Sequence, residues 1–336
     1  MKTVLTWALA CVLLVAIATT PAQASTGGFQ LIVAQAPWGD PIPPQDWKGV
    51  LRFSISGTGG AAVPLSAIPN GQVFDPVAVT ARSTNEFLVG NRHGNLYGAG
   101  SVSFFALDAS GTTYAYDYNL TYPGMNGVCG MAFHPVTGEL FLGTHHDGGY
   151  RFVFVDGVPV FNGQFAGGMI HDVYVNASGD RLYAAAAEEN RIRQFTIAAN
   201  GDLTELPSVP TPGSFPTFFT EGPRGDLYLT TVHAMQVWRY AIDAQGNLVY
   251  RSTMNFDRAC DVAFSPDGME MFVTRNKPDG GVYRFAYQQG SDSWLQTGFI
   301  SAPWAAGIEL MQPVPEPACF LGLLLGLGGL AVRRRR

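Results

Sequence analysis

Four stretches of this chain can be laid over one another: CGMAFHPVTGELFLGTHH, HDVYVNASGDRLYAAAAEE, FPTFFTEGPRGDLYLTTVH and CDVAFSPDGMEMFVTRNK. Each is an apolar alternating run, a turn with Gly beside Asp, Asn or Pro, and a second apolar run, the pattern of a β-hairpin. The marker aromatics of the second runs, Phe141, Tyr183, Tyr228 and Phe272, are 42, 45 and 44 residues apart. A spacing of about 40 to 45 residues with four strands per unit is the period of a propeller blade. Such a unit cannot bury its apolar faces alone, so its copies must stack around a common axis.

The remaining strands of each unit are legible too. A third strand recurs as VLRFSIS, RIRQFTI, VWRYAID and VYRFAYQ, followed by turns such as DASG, AANG and DAQG. A looser blade extends from Asp75 to Tyr122. Before it, FQLIVAQ, GVLRFSIS and AAVPLSAI supply three strands that lack an innermost partner, and AAGIELM (Ala305 to Met311) can provide it from the far end. Completing the first blade with the last strand removes an open sheet edge. The expected fold is therefore all-β, a six-bladed β-propeller closed by the C-terminal strand, with seven blades as the alternative.

The body, residues 25–312, lies between two segments of different character. Residues 1–24 read as a secretory signal helix: Lys2, an apolar run from Val4 to Ala18, and Ala22-Gln23-Ala24 as an A-x-A cleavage site. Residues 313–336 hold a hydrophobic helix that ends in Arg333, Arg334, Arg335 and Arg336. Its uncharged run from Ala318 to Val332 would cover only about 22 Å as a helix, short of the roughly 30 Å hydrocarbon layer. The arginines satisfy the positive-inside preference and hold the last residues in the cytoplasm while the body is exported. Of the formal net charge of −6, five positive charges (Lys2 and the four terminal arginines) and one negative charge (Glu316) lie in these segments, leaving 15 positive against 25 negative charges. So acidic a body, without a basic stripe, argues against nucleic-acid binding.

The order Val314-Pro315-Glu316-Pro317, Gly/Leu-rich stretch and Arg cluster resembles the PEP-CTERM protein-sorting signal of Gram-negative bacteria that make exopolysaccharide. The resemblance implies recognition of Pro315, Glu316 and Pro317 by an exosortase-type membrane protease at the inner membrane. It further implies transfer to the cell surface or release. The body resembles, at fold level, six- and seven-bladed propellers that include lactonase-like enzymes and many non-enzymatic bacterial surface proteins. Fold by itself does not assign function.

In a propeller the innermost strand starts on the face where the second strand ends, so side chains at both positions converge on one mouth of the channel. The repeat register puts Asp75, Cys129, His171 and Cys260 at inner-strand starts, with Gly130, Asp172 and Asp261 one residue on. At second-strand ends it puts His93, His146 and His233, with Glu188 and Lys277 between, and His145 beside His146. Imidazoles and carboxylates around one concavity suit a divalent metal, the one cofactor to consider, or acid–base work on a small substrate. The catalytic candidates are His146, His171, Asp172 and Asp261. The leading expectation is nonetheless an exported binding module for a matrix polysaccharide, a small ligand or another protein; the alternative is a lactonase-like hydrolase. Cys129 and Cys260 fall on opposite blades, which separates them too far for a disulfide. Arg52, Arg239 and Arg284 recur at one place in the third strand and read as structural repeats that pack their stems on neighbours.

Overall fold

The computed structural model describes residues 28–36, 49–68, 71–92, 100–107, 113–213 and 215–311. Its strands form six four-stranded antiparallel sheets. The first sheet closes the ring: β24 (Ala305–Met311) is innermost, followed outward by β1 (Phe29–Gln35), β2 (Val50–Ile55) and β3 (Ala62–Pro64). The second runs outward through β4 (Pro76–Ser83), β5 (Glu86–Asn91), β6 (Ser101–Leu107) and β7 (Tyr114–Leu120), and the third through β8 (Val128–Phe133), β9 (Leu140–Thr144), β10 (Gly149–Val155) and β11 (Val158–Phe165). The fourth holds β12 (Ile170–Val175), β13 (Arg181–Ala186), β14 (Arg191–Ile197) and β15 (Leu203–Pro210). β16 (Pro216–Glu221), β17 (Asp226–Thr231), β18 (Gln236–Ile242) and β19 (Leu248–Asn255) make the fifth. β20 (Ala259–Phe264), β21 (Glu270–Arg275), β22 (Gly281–Gln288) and β23 (Ser293–Ser301) make the sixth. The chain is thus an all-β, six-bladed propeller, and the seven-blade alternative falls. No helix occurs among the described residues, and both terminal segments, with Ala22, Ala24, Val314 to Pro317 and Arg333 to Arg336, lie outside them.

Period-two alternation makes the ring. In β13, Leu182, Ala184 and Ala186 join the core shared with the third blade, through Phe141 and Phe165. The intervening Tyr183 and Ala185 join the core shared with the fifth, through Leu227, Leu229 and Trp238. Because both faces are covered, middle strands read as unbroken apolar runs; β15 and β19, at the rim, are mostly exposed. At the closing blade Phe29, Leu31 and Ile308 pack against Phe272 and Val282 of the sixth, so the last strand is held by a core as well as by its ladder to β1.

Arginines of the third strands tie four of the blades to the next. Arg284 is held by Glu270 of its own blade through two bonds of 2.6 and 2.9 Å and donates to the Gly60 carbonyl of the closing blade at 2.6 Å. Arg239 joins Asp226 at 2.6 Å to Asp292 of the sixth blade at 2.7 Å. Arg151 joins Glu139 at 2.9 Å to the Gly201 carbonyl of the fourth at 2.7 Å. Arg52 bonds Gln30 at 3.0 Å and stands 4.8 Å over the Tyr114 ring of the second blade.

Candidate functional site

Every inner strand is irregular at the same height. The pairing register shifts at Pro76/Ala78, Val128/Gly130, Ile170/Val173, Pro216/Phe219 and Ala259/Val262, and opposite the start of β24 at Val33/Gln35. A bulge breaks the alternation and re-aims adjacent side chains, and its effect is clearest at His171 and Asp172. His171 lines a cavity of about 400 Å³ at the mouth where the inner strands begin. Asp172 lines a second cavity of about 460 Å³ around the channel's other end. The two neighbours therefore do not act as a pair on one ligand.

The mouth cavity is walled by Arg92, His145, His171, Phe215, His233 and Arg258, with Val232 and Met235. Arg92 Nε donates to Asp75 at 2.7 Å, which fixes the guanidinium at the rim. The His233 ring lies 4.5 Å from Phe215. His171 meets Phe215 and Phe218 edge-on, at 6.0 and 5.0 Å. Burial, with His145 and Arg92 adding positive charge nearby, pulls the His171 imidazole down to about 3, so it stays neutral. With Arg92 matched by Asp75, and Arg258 in no ion pair among the described residues, the lining has a positive balance on an otherwise acidic body.

The backbone here is strained. Phe215, Met235 and Arg258, three residues of this wall, have φ of 62°, 55° and 52°. For residues with a Cβ that left-handed region costs about 1–2 kcal/mol each, and glycine avoids it, as Gly127 (φ 68°) does at the equivalent step into β8. Asp75 and Trp304 share this geometry before β4 and β24. The turn is a repeat-level device, but keeping aromatic and cationic side chains on it at the mouth points to a role for those side chains.

Around the second cavity, carboxyls clip blade to blade. Asp172 accepts from the Phe219 amide at 2.8 Å, and Asp261 accepts from Ile308 at 3.0 Å and Val262 at 2.7 Å. Glu309 accepts from Leu310 at 3.1 Å and Ala81 at 3.4 Å. Gly130 is required for the fit: a Cβ there would stand 2.0 Å from an Asp172 oxygen. Burial raises all three acids, Asp172 well above the carboxylate range, Asp261 to about 8 and Glu309 to about 7. These groups serve as interblade connectors.

The other sequence candidates scatter. His146 is exposed and contacts His145, ring nitrogen to ring nitrogen at 2.9 Å, so His145 is the member of that pair that lines the mouth. Glu188 is exposed, and Lys277 pairs with Asp257. His93 lies outside the described residues. Cys129 and Cys260 are free, buried thiols raised by burial. Among the described residues no group of three or more His, Cys, Asp or Glu is placed to hold a metal ion. Sequence reasoning missed Arg92, Phe215 and Arg258. Their signal was position: Arg92 sits one residue before His93, and the other two directly precede apolar inner strands.

No family model matches the chain, and no curated protein does. Solved structures do match in fold. A periplasmic gluconolactonase of Pseudomonas aeruginosa superposes with a TM-score of 0.64 at 14% identity, covering 86% of this chain and 100% of that one. A putative 6-phosphogluconolactonase of Bacteroides fragilis gives 0.59 at 19% identity, covering 84% of each chain. A protein from Lactobacillus plantarum gives 0.61 at 11% identity, covering 85% of this chain and 100% of that one. These likenesses establish the propeller fold.

Proposed function

We propose that this protein is an exported binding module that captures a small anionic ligand, a carboxylate such as a sugar acid, in the mouth formed by Arg92, His145, His171, Phe215, His233 and Arg258. The observation that carries this reading is the left-handed backbone retained at Phe215, Met235 and Arg258, all on that one wall. A guanidinium offers planar, bidentate recognition of a carboxylate, and the neighbouring rings exclude water. The secretory signal and the segment resembling a PEP-CTERM signal support delivery through the inner membrane, processing by an exosortase-type protease, and residence at the cell surface or in the exopolysaccharide matrix.

Thermal shift of the purified protein with D-gluconate, D-glucuronate and uncharged D-glucose tests the reading. The acids should raise the melting temperature, glucose should not at the mouth, and Arg258→Met should abolish the rise with the acids. Equal response of wild type and Arg258→Met would overturn it.

The likeness to a periplasmic gluconolactonase favours a second reading, hydrolysis of a sugar lactone at the same mouth. Hydrolysis asks for a base with a pKa near the working pH. His171 is held far below that range, and Asp172 and Asp261 line the other cavity, which leaves His145 and His233 as the imidazoles of the mouth for that role. Hydrolysis of D-glucono-δ-lactone above the spontaneous rate, lost in His233→Ala, would establish the enzyme in its place.

A further inference from the structure

A third cavity, of about 230 Å³, lies far from both channel ends, between the outer strands of the fifth and sixth blades. One wall is aromatic and thioether: Tyr228, Trp294, Met254 and Met271. Trp294 is fixed on several sides. Its indole N–H donates to the Tyr228 hydroxyl at 3.3 Å, and its ring stands 5.6 Å from Phe264 and 5.2 Å from Tyr287. The lip is polar, with Ser252, Thr253 and Ser293 beside Arg239 and Asp292.

We infer that this cleft is a binding site for a neutral sugar ring of a glycan chain. Size is the first argument, since the cleft has room for one six-membered ring with its hydroxyls. Wall chemistry is the second: a pyranose is apolar on its C–H face and polar at its rim, and the cleft sets an aromatic wall against hydroxyls and a fixed acceptor–donor pair, Asp292 beside Arg239. Charge is the third. Arg239 and Arg224 are balanced by Asp226 and Asp292, with contacts of 2.7 Å from Arg239 to Asp292 and 3.8 Å from Arg224 to Asp292. An anion would upset this balance, whereas hydroxyl groups can accept from and donate to it. Asp292 is positioned in advance, because Tyr287 donates to it at 2.8 Å in addition to Arg239, so little ordering remains to be done on binding.

Titration of the full chain with neutral linear hexasaccharides of glucose, mannose and N-acetylglucosamine, read by tryptophan fluorescence and calorimetry, tests this. An oligomer of glucuronic acid serves as the charged comparator. Saturable binding of a neutral oligomer is expected, weakened at least tenfold by Trp294→Leu and by Ser252→Tyr. Ser252→Tyr fills the lip from an exposed strand position and keeps the test valid should the first variant fold poorly. Arg258→Met at the mouth should leave this binding unchanged, which separates it from the anion site. Absence of saturable binding to every neutral oligomer, preference for the acidic one, or wild-type affinity in Ser252→Tyr would each overturn the inference.

Discussion

Replacing Arg258 by glycine should stabilise the fold relative to replacing it by alanine, the reverse of the usual order. Both substitutions remove the same guanidinium, so their difference isolates the backbone. At φ 52° the alanine Cβ keeps the left-handed penalty, about 1–2 kcal/mol, which glycine escapes. Glycine gives back about 0.4–1 kcal/mol through the greater freedom of its unfolded chain. The net advantage of glycine is therefore roughly 1 kcal/mol, which for a domain of this size is about 1.5–2 °C in melting temperature. Calorimetry on the two variants, supported by urea midpoints, measures it, and both variants should lose response to D-gluconate. An alanine variant as stable as the glycine variant, or more so, would show that Arg258 carries no strain. The argument from strain to function at the mouth would then collapse.

Two further outcomes are expected. Glu270→Gln should destabilise by about 3–5 kcal/mol, because it breaks a buried ion pair and leaves Arg284 uncompensated, Glu270 and Arg284 being 3% and 8% exposed; the double change Glu270→Met with Arg284→Leu should recover part of that loss in denaturant midpoints, and a single variant within about 1 kcal/mol of wild type contradicts it. Asp261→Asn should remove a fall of stability with rising pH between about pH 4 and 8. Its folded pKa of about 8 lies above the ordinary 3.8, so its contribution is complete below the ordinary value and is lost as pH rises through 8. Each proton released in that window removes about 1.4 kcal/mol per pH unit. Glu309, raised to about 7, acts in the same direction. His171 opposes them between about 3 and 6.5, where stability gains as pH rises, so the fall should stand clear from pH 6.5 to 8 in wild type. An unchanged slope in Asp261→Asn would refute the assignment.

The blades were readable because their middle strands are covered on both faces and joined by tight turns, so hydrophobic runs and turn residues repeat at one period. The strand Ala305–Met311 was readable for a related reason: three strands at the start lacked an inner partner. The mouth was readable only in outline. A bulge at the head of each inner strand breaks the alternation that a sequence register assumes, which sends Asp172 and Asp261 to the other cavity and leaves His171 at the mouth. The second-strand end was offset by one residue in the third blade, where His145 lines the wall and His146 does not. Glu309 gave no signal at all, as a lone acid in an apolar strand reveals its interblade bond only once the neighbouring amide is in place.

The ladder that seals the ring also orients the molecule. Gln30 stands opposite Met311, while Trp304, at the head of the same inner strand, belongs to the mouth side. The first and last strands of the ring thus end side by side, on the face away from the mouth. The cationic opening therefore lies on the face opposite the one where the closing ladder ends.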